Sequence, residues 1–366
     1  MRLLQRVARA RLASRVIRQL RYAGVTDAGY DATTFAVRFR QNGPDGPVVL
    51  WLDNLLAELP RSRRERRARV ARFVDGFVQV PDLPANWDEV CSRLRPVLRG
   101  TTPMSPLQGI SAPIRRPALP HLAEYVVVDQ ADTMTYVATD QLAGWGVTEE
   151  QVFATARSNL SVTVRQAAAS EPVVLRFVDD GNAYWTSHLL IDGWLASLSE
   201  QVGGEPVAFA PERGTLLVAP DGSEHLSGLF VLAEEAYAAS ARAISPMAYV
   251  SDRRGRTVPY RAGPGHPLQV CVQRAEALLA VHEYAHQARL LAGGPTPPLP
   301  LLLVGSTEDG WRTRAVWRHD GPALLPEADE ILMGPTVTPW AALQPHLVPV
   351  PGADPPRWAG RGWPSS

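Results

Sequence analysis

The stretch that decides the fold runs from Leu94 to Tyr260. Its recognisable pieces are LRPVLRG (94–100), HLAEYVVV (121–128), WGVTEE (145–150), DDGN (179–182), GEPVAFAP (204–211) and ISPMAY (244–249). Short runs of β-branched and aromatic residues bounded by glycine and proline are typical of strands joined by turns. Thr148 precedes two glutamates, the arrangement expected where a hydroxyl caps the first free amides of a helix. The stretch therefore predicts hairpins that alternate with helices.

The same arrangement recurs outside this stretch. Strand-like segments at 35–39 and 48–52 flank a glycine-containing turn and precede a helical segment, and a less regular pair lies at 301–317. We therefore predict an α+β fold with antiparallel hairpins alternating with helices and sheets backed by helices. The predicted regions are a basic N-terminal hairpin–helix region (1–100), a proline-rich linker (101–120), an α+β core (121–262), a C-terminal helix plus small α/β extension (263–348) and a proline-rich tail (349–366). We expect the linker to be irregular and the tail poorly ordered.

The order of these segments resembles the YtpQ-like family of bacterial proteins, a domain of unknown function, over about residues 1–260. The family pattern has an Asn-Asp-Gly-aromatic-Asp turn, whereas this chain has DDGNAY at 179–184 and lacks the second acid. The resemblance implies a YtpQ-like core at 121–262 and no particular activity. We therefore expect a bacterial protein that binds a protein or a small ligand without catalysis, and for which enzyme activity is the less favoured interpretation.

Composition excludes several classes of chemistry. All 37 basic residues are arginine, so reactions that need a lysine amine, such as Schiff-base formation or a phosphate-loop lysine, have no candidate residue. Cys91 and Cys271 match no metal or redox spacing, which indicates two reduced, partly buried thiols. Arginines interrupt every apolar segment near the N-terminus, and no apolar run is long enough for a membrane helix. We expect a cytoplasmic protein with no membrane association.

The sharpest motif is His282-Glu283-Tyr284-Ala285-His286, an H-E-x-x-H pattern within a predicted helix. Two imidazoles four residues apart share a helix face and can bind zinc, while the glutamate can activate a water molecule. The motif therefore carries the alternative of a zinc-dependent hydrolase, with Glu283 as the catalytic residue. We do not favour a metal or another cofactor, because the downstream candidates Glu327, Glu330 and His319 have no suitable helix.

Helical periodicity places the histidine pair away from the expected core. At 3.6 residues per turn, one apolar stripe collects residues three and four apart. That stripe consists of Leu278, Val281, Ala285, Ala288 and Leu291. The two histidines fall on its flank, so the sequence predicts exposed histidines and no third ligand that reaches both.

An arginine-rich segment, RSRRERRARVAR at 61–72, carries a second alternative, binding of a polyanion such as nucleic acid. Val70, Phe73 and Phe77 recur at helical spacing, which indicates that the arginines form the solvated side of an amphipathic helix. Residues 1–116 hold 21 arginines against 10 acidic residues, whereas residues 117–366 hold 16 against 27. We expect the two parts to pack together and pair their charges, an arrangement that disfavours nucleic acid as a partner.

Asp179, Asp180 and Asn182 are weak candidates for a binding site. Clustered carboxylate and amide oxygens suit calcium or magnesium. The same residues around Gly181 are also typical of a turn between a strand and a helix, which is the interpretation we favour.

Overall fold

The computed structural model of the chain describes residues 2–32, 35–40, 47–52, 55–56, 59–78, 83–102, 111–130, 134–160, 174–178 and 184–363. The helices of this part, numbered in chain order, are α1 (Arg2–Tyr22), α2 (Arg63–Val78), α3 (Trp87–Val90), α4 (Thr139–Trp145), α5 (Glu149–Leu160), α6 (Ser199–Val202), α7 (Leu226–Ala239), α8 (Gln269–Leu291) and α9 (Trp340–Leu343).

The strands of the described residues are β1 (Gly29–Asp31), β2 (Ala36–Arg40), β3 (Pro47–Trp51), β4 (Leu94–Gly100), β5 (Arg115–Leu119), β6 (Leu122–Asp129), β7 (Met134–Tyr136), β8 (Leu175–Val178), β9 (Pro206–Glu212), β10 (Thr215–Pro220), β11 (Ala248–Ser251), β12 (Thr257–Pro259), β13 (Leu301–Ser306), β14 (Gly310–Trp317), β15 (Ala323–Pro326), β16 (Glu330–Met333), β17 (Thr336–Pro339), β18 (Val348–Pro349) and β19 (Arg357–Gly360). The predicted α+β class, with antiparallel sheets and helices, is confirmed.

The N-terminal unit consists of α1, α2 and the antiparallel sheet β1-β2-β3. Leu12, Val16 and Leu20 recur at helical spacing in α1 and are buried, and α1 packs against α2. α2 contributes Val70 and Val74 to the same core, which consists of side chains between Leu12 and Val74. This unit therefore has a hydrophobic core of its own.

Two sheets form the central part of the chain. One has the order β4-β6-β5, with β7 also paired to β6, and the other has the order β12-β11-β9-β10-β8. β6 is buried along Leu122–Val128 because strands pair with it on both sides and α5 covers Val126 and Val128. α7 covers the second sheet, where Phe209 and Phe230 meet edge to face at 5.0 Å between ring centroids.

The C-terminal part combines α8 with the sheets β13-β14-β16-β17 and β15-β19-β18. β14 and β16 run parallel, while the other strand pairs of these sheets are antiparallel. Val272, Ala275 and Leu279 of α8 belong to the central core, whereas Ala280 and Tyr284 belong to the C-terminal core. Helix α8 therefore joins the two parts.

Three expectations about these regions differ from the structure. β4, assigned to the N-terminal region, pairs with β6 along its whole length. The expected irregular linker contains β5, where Pro117 is tolerated at an edge strand beside a register shift. The tail expected to be poorly ordered contains β18 and β19, which pair with each other and with β15. Proline content misled the prediction, because edge strands lose little when one N–H is absent.

The arginine-rich segment has the predicted orientation. Val70 is buried, Phe73 is partly buried, and Arg61, Arg63, Arg64, Arg67 and Arg72 are exposed. The side chain of Phe77 lies outside the described residues.

The predicted pairing between arginines of residues 1–116 and later acidic residues is found at the end of that region. Arg115 pairs with Asp354, and Arg116 pairs with Glu124 and Glu150. Arg38, which lies among the described residues before 100, forms an ion pair with Asp31 of its own N-terminal unit.

Two smaller predictions concern cysteines and membrane spans. Cys91 and Cys271 are free and partly buried, as expected. Among the described residues no helix combines the length and apolarity needed to cross a membrane.

Candidate functional site

Helix α8 buries a different face from the one predicted. Its buried positions in the motif region are Leu279, Ala280, Glu283, Tyr284 and Gln287, spaced as one helical face. Ala285, placed in the predicted apolar stripe, is exposed. The predicted stripe is therefore wrong. The face that is buried includes the polar residues Glu283 and Gln287, so the sequence does not show it as an apolar stripe.

The two histidines of the motif lie beside this buried face. His282 is exposed, and its Nδ1 forms a hydrogen bond with the hydroxyl of Tyr237. His286 is half-buried, and burial lowers its pKa to about 4, assisted by the positive charge of Arg289 and by His282. The pKa of His282 is also lowered, by partial desolvation of its ring and by the positive charge of Arg289.

The described residues supply no complete metal site around this pair. Within that part of the chain no three His, Cys, Asp or Glu side chains come close enough together to hold a metal ion. Glu327, Glu330 and His319 therefore do not converge on the two imidazoles. A zinc hydrolase would lack a third protein ligand from these residues.

Glu283 of α8 lies next to the end of β4. Its side chain is 7 % exposed, and its Oε2 accepts the backbone N–H of Thr102 at 3.0 Å. The Thr102 hydroxyl donates to the carbonyl of Glu283 at 3.1 Å. A Cβ added at Gly100 would overlap the carboxyl group of Glu283, so the lack of a side chain there makes this contact possible. Glu283 thus joins α8 to the central sheet.

Replacing Glu283 by glutamine tests this structural role. The amide oxygen can accept the same N–H, while the variant buries no charge. Burial raises the pKa of Glu283 above its ordinary 4.5, so its contribution to stability is full below the unfolded pKa and is lost as pH rises through the folded pKa. We expect the free energy of unfolding of Glu283→Gln to rise relative to wild type between about pH 4 and pH 8. Guanidinium denaturation at several pH values measures this difference.

The exposed carboxylate of Glu308 provides the matched control. Glu308→Gln should show no such trend with pH, since an exposed carboxylate is not desolvated on folding. If the difference in free energy of unfolding between Glu283→Gln and wild type stayed constant across the pH range, burial would not disfavour the charged form of Glu283.

The C-terminal tail also forms hydrogen bonds with this contact between α8 and the central sheet. Asp354 accepts hydrogen bonds from Arg115 and from the Thr101 hydroxyl, both at 2.5 Å. Gln287 donates to the carbonyl of Pro355 at 2.6 Å, and the Tyr284 hydroxyl donates to that of Pro356 at 2.8 Å. The buried face of α8 is therefore held between the central sheet and the tail.

A cavity of about 450 Å³ opens next to this contact, between α8, the turn before β6 and the β14–β16 region. We call it the acidic cavity, because the carboxylates of Glu276, Glu327 and Asp329 line it. Arg261 is the basic residue among its described lining residues. Pockets of this size accommodate small organic molecules.

Two of the three carboxylates are held by neighbouring groups. Glu276 Oε1 accepts a hydrogen bond from Arg261 at 2.5 Å. Asp329 Oδ2 accepts from the backbone N–H of Thr313 at 2.6 Å and from its hydroxyl at 2.8 Å. Burial raises the pKa of Glu276; Arg261 opposes this effect and Asp329 adds to it. The carboxylate of Glu327 is exposed and makes no hydrogen bond or ion pair among the described residues.

Aromatic side chains form another part of the cavity wall. His121 meets Tyr284 edge to face, with 6.0 Å between ring centroids, and has a φ of 58°. This left-handed backbone is uncommon outside glycine and positions the imidazole at the cavity. Burial lowers the pKa of His121, while the negative charge of Asp354 opposes the shift. The indole N–H of Trp311 is buried and has no hydrogen-bond partner among the described residues.

The cavity residues were not predicted from the sequence as a site. Glu276, Trp311 and Asp329 are far apart in the chain and match no motif. His121 belongs to the quoted segment before β6, but its spacing carries no chemical signal. The predicted candidates Asp179, Asp180 and Asn182 lie outside the described residues.

Comparisons with protein-family models, with curated proteins and with solved structures find no match to this chain. The resemblance to the YtpQ-like family therefore stays a prediction.

Proposed function

We propose that the protein binds a small amine in the acidic cavity and leaves it chemically unchanged. The observation that carries this proposal is the lining of the cavity, in which three carboxylates stand against one guanidinium among the described residues. Because one carboxylate is paired with Arg261, the remaining negative charge favours a positively charged ligand.

The aromatic wall supports the same ligand class. The faces of tyrosine and tryptophan attract ammonium groups through cation–π interactions. Tyr284 and Trp311 both line the cavity. Each ring already lies beside a guanidinium, Arg357 at 5.3 Å from the centroid of Tyr284 and Arg274 at 4.4 Å from that of Trp311, which shows that both rings are placed to contact cations.

Binding is favoured over catalysis because three polar groups of the cavity are committed to the fold. Glu276 is paired with Arg261, Asp329 holds Thr313, and the Tyr284 hydroxyl donates to a backbone carbonyl. A general acid or base must be free to exchange a proton with the bound molecule. Among the described residues of the cavity, Glu327 is the carboxylate that remains to contact a ligand.

The cellular setting is part of the same proposal. The order of segments quoted from Leu94 to Tyr260 favours a YtpQ-like bacterial protein. The two free thiols favour a reducing compartment such as the cytoplasm.

Calorimetric titration with agmatine, choline, ethanolamine and spermidine tests the proposal, with succinate as an anionic comparison. We expect at least one amine to bind saturably and succinate not to bind. Glu327→Gln should weaken amine binding by about tenfold, since it removes one charge near the ligand. The matched control Glu308→Gln should stay within about twofold of wild type. Binding that is unaffected by Glu327→Gln, or no amine binding at about 10 mM, would reject the proposal.

A further inference from the structure

The N-terminal unit presents a dense positive surface on two neighbouring helices. We call this surface the arginine face. Its exposed side chains are Arg6, Arg11, Arg15, Arg18 and Arg21 in α1, and Arg61, Arg63, Arg64, Arg67 and Arg72 in or just before α2. α1 has no acidic residue, and α2 has Glu65 and Asp75. We propose that the arginine face binds the phosphate backbone of duplex nucleic acid without sequence preference.

Packing explains why these arginines face outward. The apolar sides of both helices are used in the core of the unit, where Leu12, Val16 and Val74 are buried. α1 lies against α2. The exposed arginines of both helices therefore belong to neighbouring elements of a unit that has its own core.

These charges are not neutralised within the described residues. None of the ten guanidinium groups forms an ion pair in that part of the chain. The arginines of residues 1–116 that pair there with acidic residues beyond 117 are Arg115 and Arg116. The sequence had suggested that acidic residues beyond 117 neutralise the basic third. Within the part of the chain that the structure describes, that neutralisation does not reach the arginine face, which leaves a positive field that a polyanion can use.

The spacing of the arginines suits a phosphate backbone. Arg11, Arg15 and Arg18 follow one another at four and three residues, which places them on one side of α1. At a rise of 1.5 Å per residue, the segment from Arg6 to Arg21 extends over about 22 Å. That length corresponds to about six base pairs at 3.4 Å per step. Guanidinium groups can also bind phosphate oxygens through two parallel hydrogen bonds.

Burial of the apolar side of α1 distinguishes this surface from a membrane-binding helix. A helix that lies in a bilayer interface inserts its apolar side between the lipids. In α1 that side is used by Leu12, Val16 and Leu20, which are at most 2 % exposed. Among the described side chains of α1 and α2, the large exposed apolar groups are Val7 and Tyr22. Single strands are also a poorer fit, because stacking with bases needs several exposed aromatic rings.

Fluorescence anisotropy with a labelled duplex of mixed sequence and about 30 base pairs tests the proposal on the full chain. Wild type should bind in the micromolar range at about 100 mM NaCl, with affinity falling steeply as salt increases. The variant Arg11→Gln/Arg15→Gln/Arg63→Gln/Arg67→Gln should bind at least about tenfold more weakly. Its slope of log affinity against log salt should be smaller by about 3 to 4.

A matched variant separates the arginine face from total charge. Arg253→Gln/Arg254→Gln/Arg318→Gln/Arg361→Gln removes four exposed arginines elsewhere and should stay within about twofold of wild type. Glutamine preserves helix propensity, and circular dichroism checks that both variants fold. Should the first variant fail to fold, the separate pairs Arg11→Gln/Arg15→Gln and Arg63→Gln/Arg67→Gln should each weaken binding.

Three results would overturn the proposal. One is the absence of duplex binding by wild type at about 50 mM salt. Another is an equal loss of binding in the matched variant. The third is binding to phosphatidylserine vesicles without binding to the duplex, which would assign the surface to a membrane. None of these results depends on amine binding in the acidic cavity.

Discussion

Replacing Arg357 by alanine is expected to lower the free energy of unfolding by about 3 to 5 kcal/mol. The guanidinium group is 1 % exposed and donates to Gln287 Oε1 at 2.5 Å. It also donates to the carbonyl oxygens of Leu299, Leu324 and Tyr284 at 3.3, 2.9 and 3.2 Å. Truncation leaves these buried acceptors without their donor and creates a cavity.

The chemistry of arginine makes this position hard to replace. Burial lowers the pKa of Arg357 to about 10, so the group remains charged at pH 7. Arg357→Lys should therefore also destabilise the protein, since one ammonium group cannot reach acceptors arranged around a planar fork. Arg361→Ala, at an exposed position one residue after β19 ends, should change stability by less than about 0.5 kcal/mol.

Guanidinium denaturation combined with hydrogen exchange measures the effect of Arg357→Ala. A chain with several cores need not unfold in one step, so exchange in β15, β18 and β19 reports the local change. Unchanged protection in these strands would show that the tail is not held by Arg357.

Replacing Trp317 by alanine should lower the free energy of unfolding of the C-terminal part by about 3 to 5 kcal/mol. Trp317 is among the largest fully buried side chains, and its indole N–H donates to the carbonyl of Gly321 at 3.1 Å. A Cβ at Gly360 would lie 2.6 Å from the indole ring, so β19 packs directly on this side chain. Neighbouring backbone held by strand pairing cannot fill the cavity that alanine would leave.

The same hydrogen-exchange experiment measures the effect of Trp317→Ala. Val337→Ala, on the edge strand β17 of the same sheet, removes a side chain that is 44 % exposed and should have an effect below about 0.5 kcal/mol. If the two substitutions had equal effects, Trp317 would not be the centre of the C-terminal core.

The two structural predictions and the two binding proposals concern different parts of the chain. Arg357 and Trp317 determine whether the tail closes the C-terminal part against α8. The acidic cavity depends on that closure, because Tyr284 both lines the cavity and binds the tail. The arginine face belongs to a unit whose core contains side chains from residues 12–74. We therefore expect changes at Arg357 to disturb amine binding more than duplex binding.

Local periodicity explains which elements could be predicted. The hairpin of β9 and β10 follows from two short apolar runs separated by turn residues, and the side of α2 that carries Val70 follows from a period of 3.6. Such patterns indicate an α+β fold and an exposed arginine helix without knowledge of any partner segment.

The face of α8 could not be predicted in this way. Glu283 and Gln287 appear polar in the sequence, yet each is buried because a distant group satisfies it. Their partners, Thr102 and Arg357, are 181 and 70 residues away along the chain. Periodicity therefore selected the more apolar but more exposed side of the helix.

The sequence by itself determined the fold class, the free thiols and the outward orientation of the arginines along α2, since each depends on composition or on spacing within one segment. The tertiary structure decided the strands of the proline-rich segments, the burial of Glu283 and the grouping of Glu276, Glu327 and Asp329 around a cavity. These features depend on long-range contacts, because a buried polar group or an edge proline is stable only where a remote segment supplies its partner.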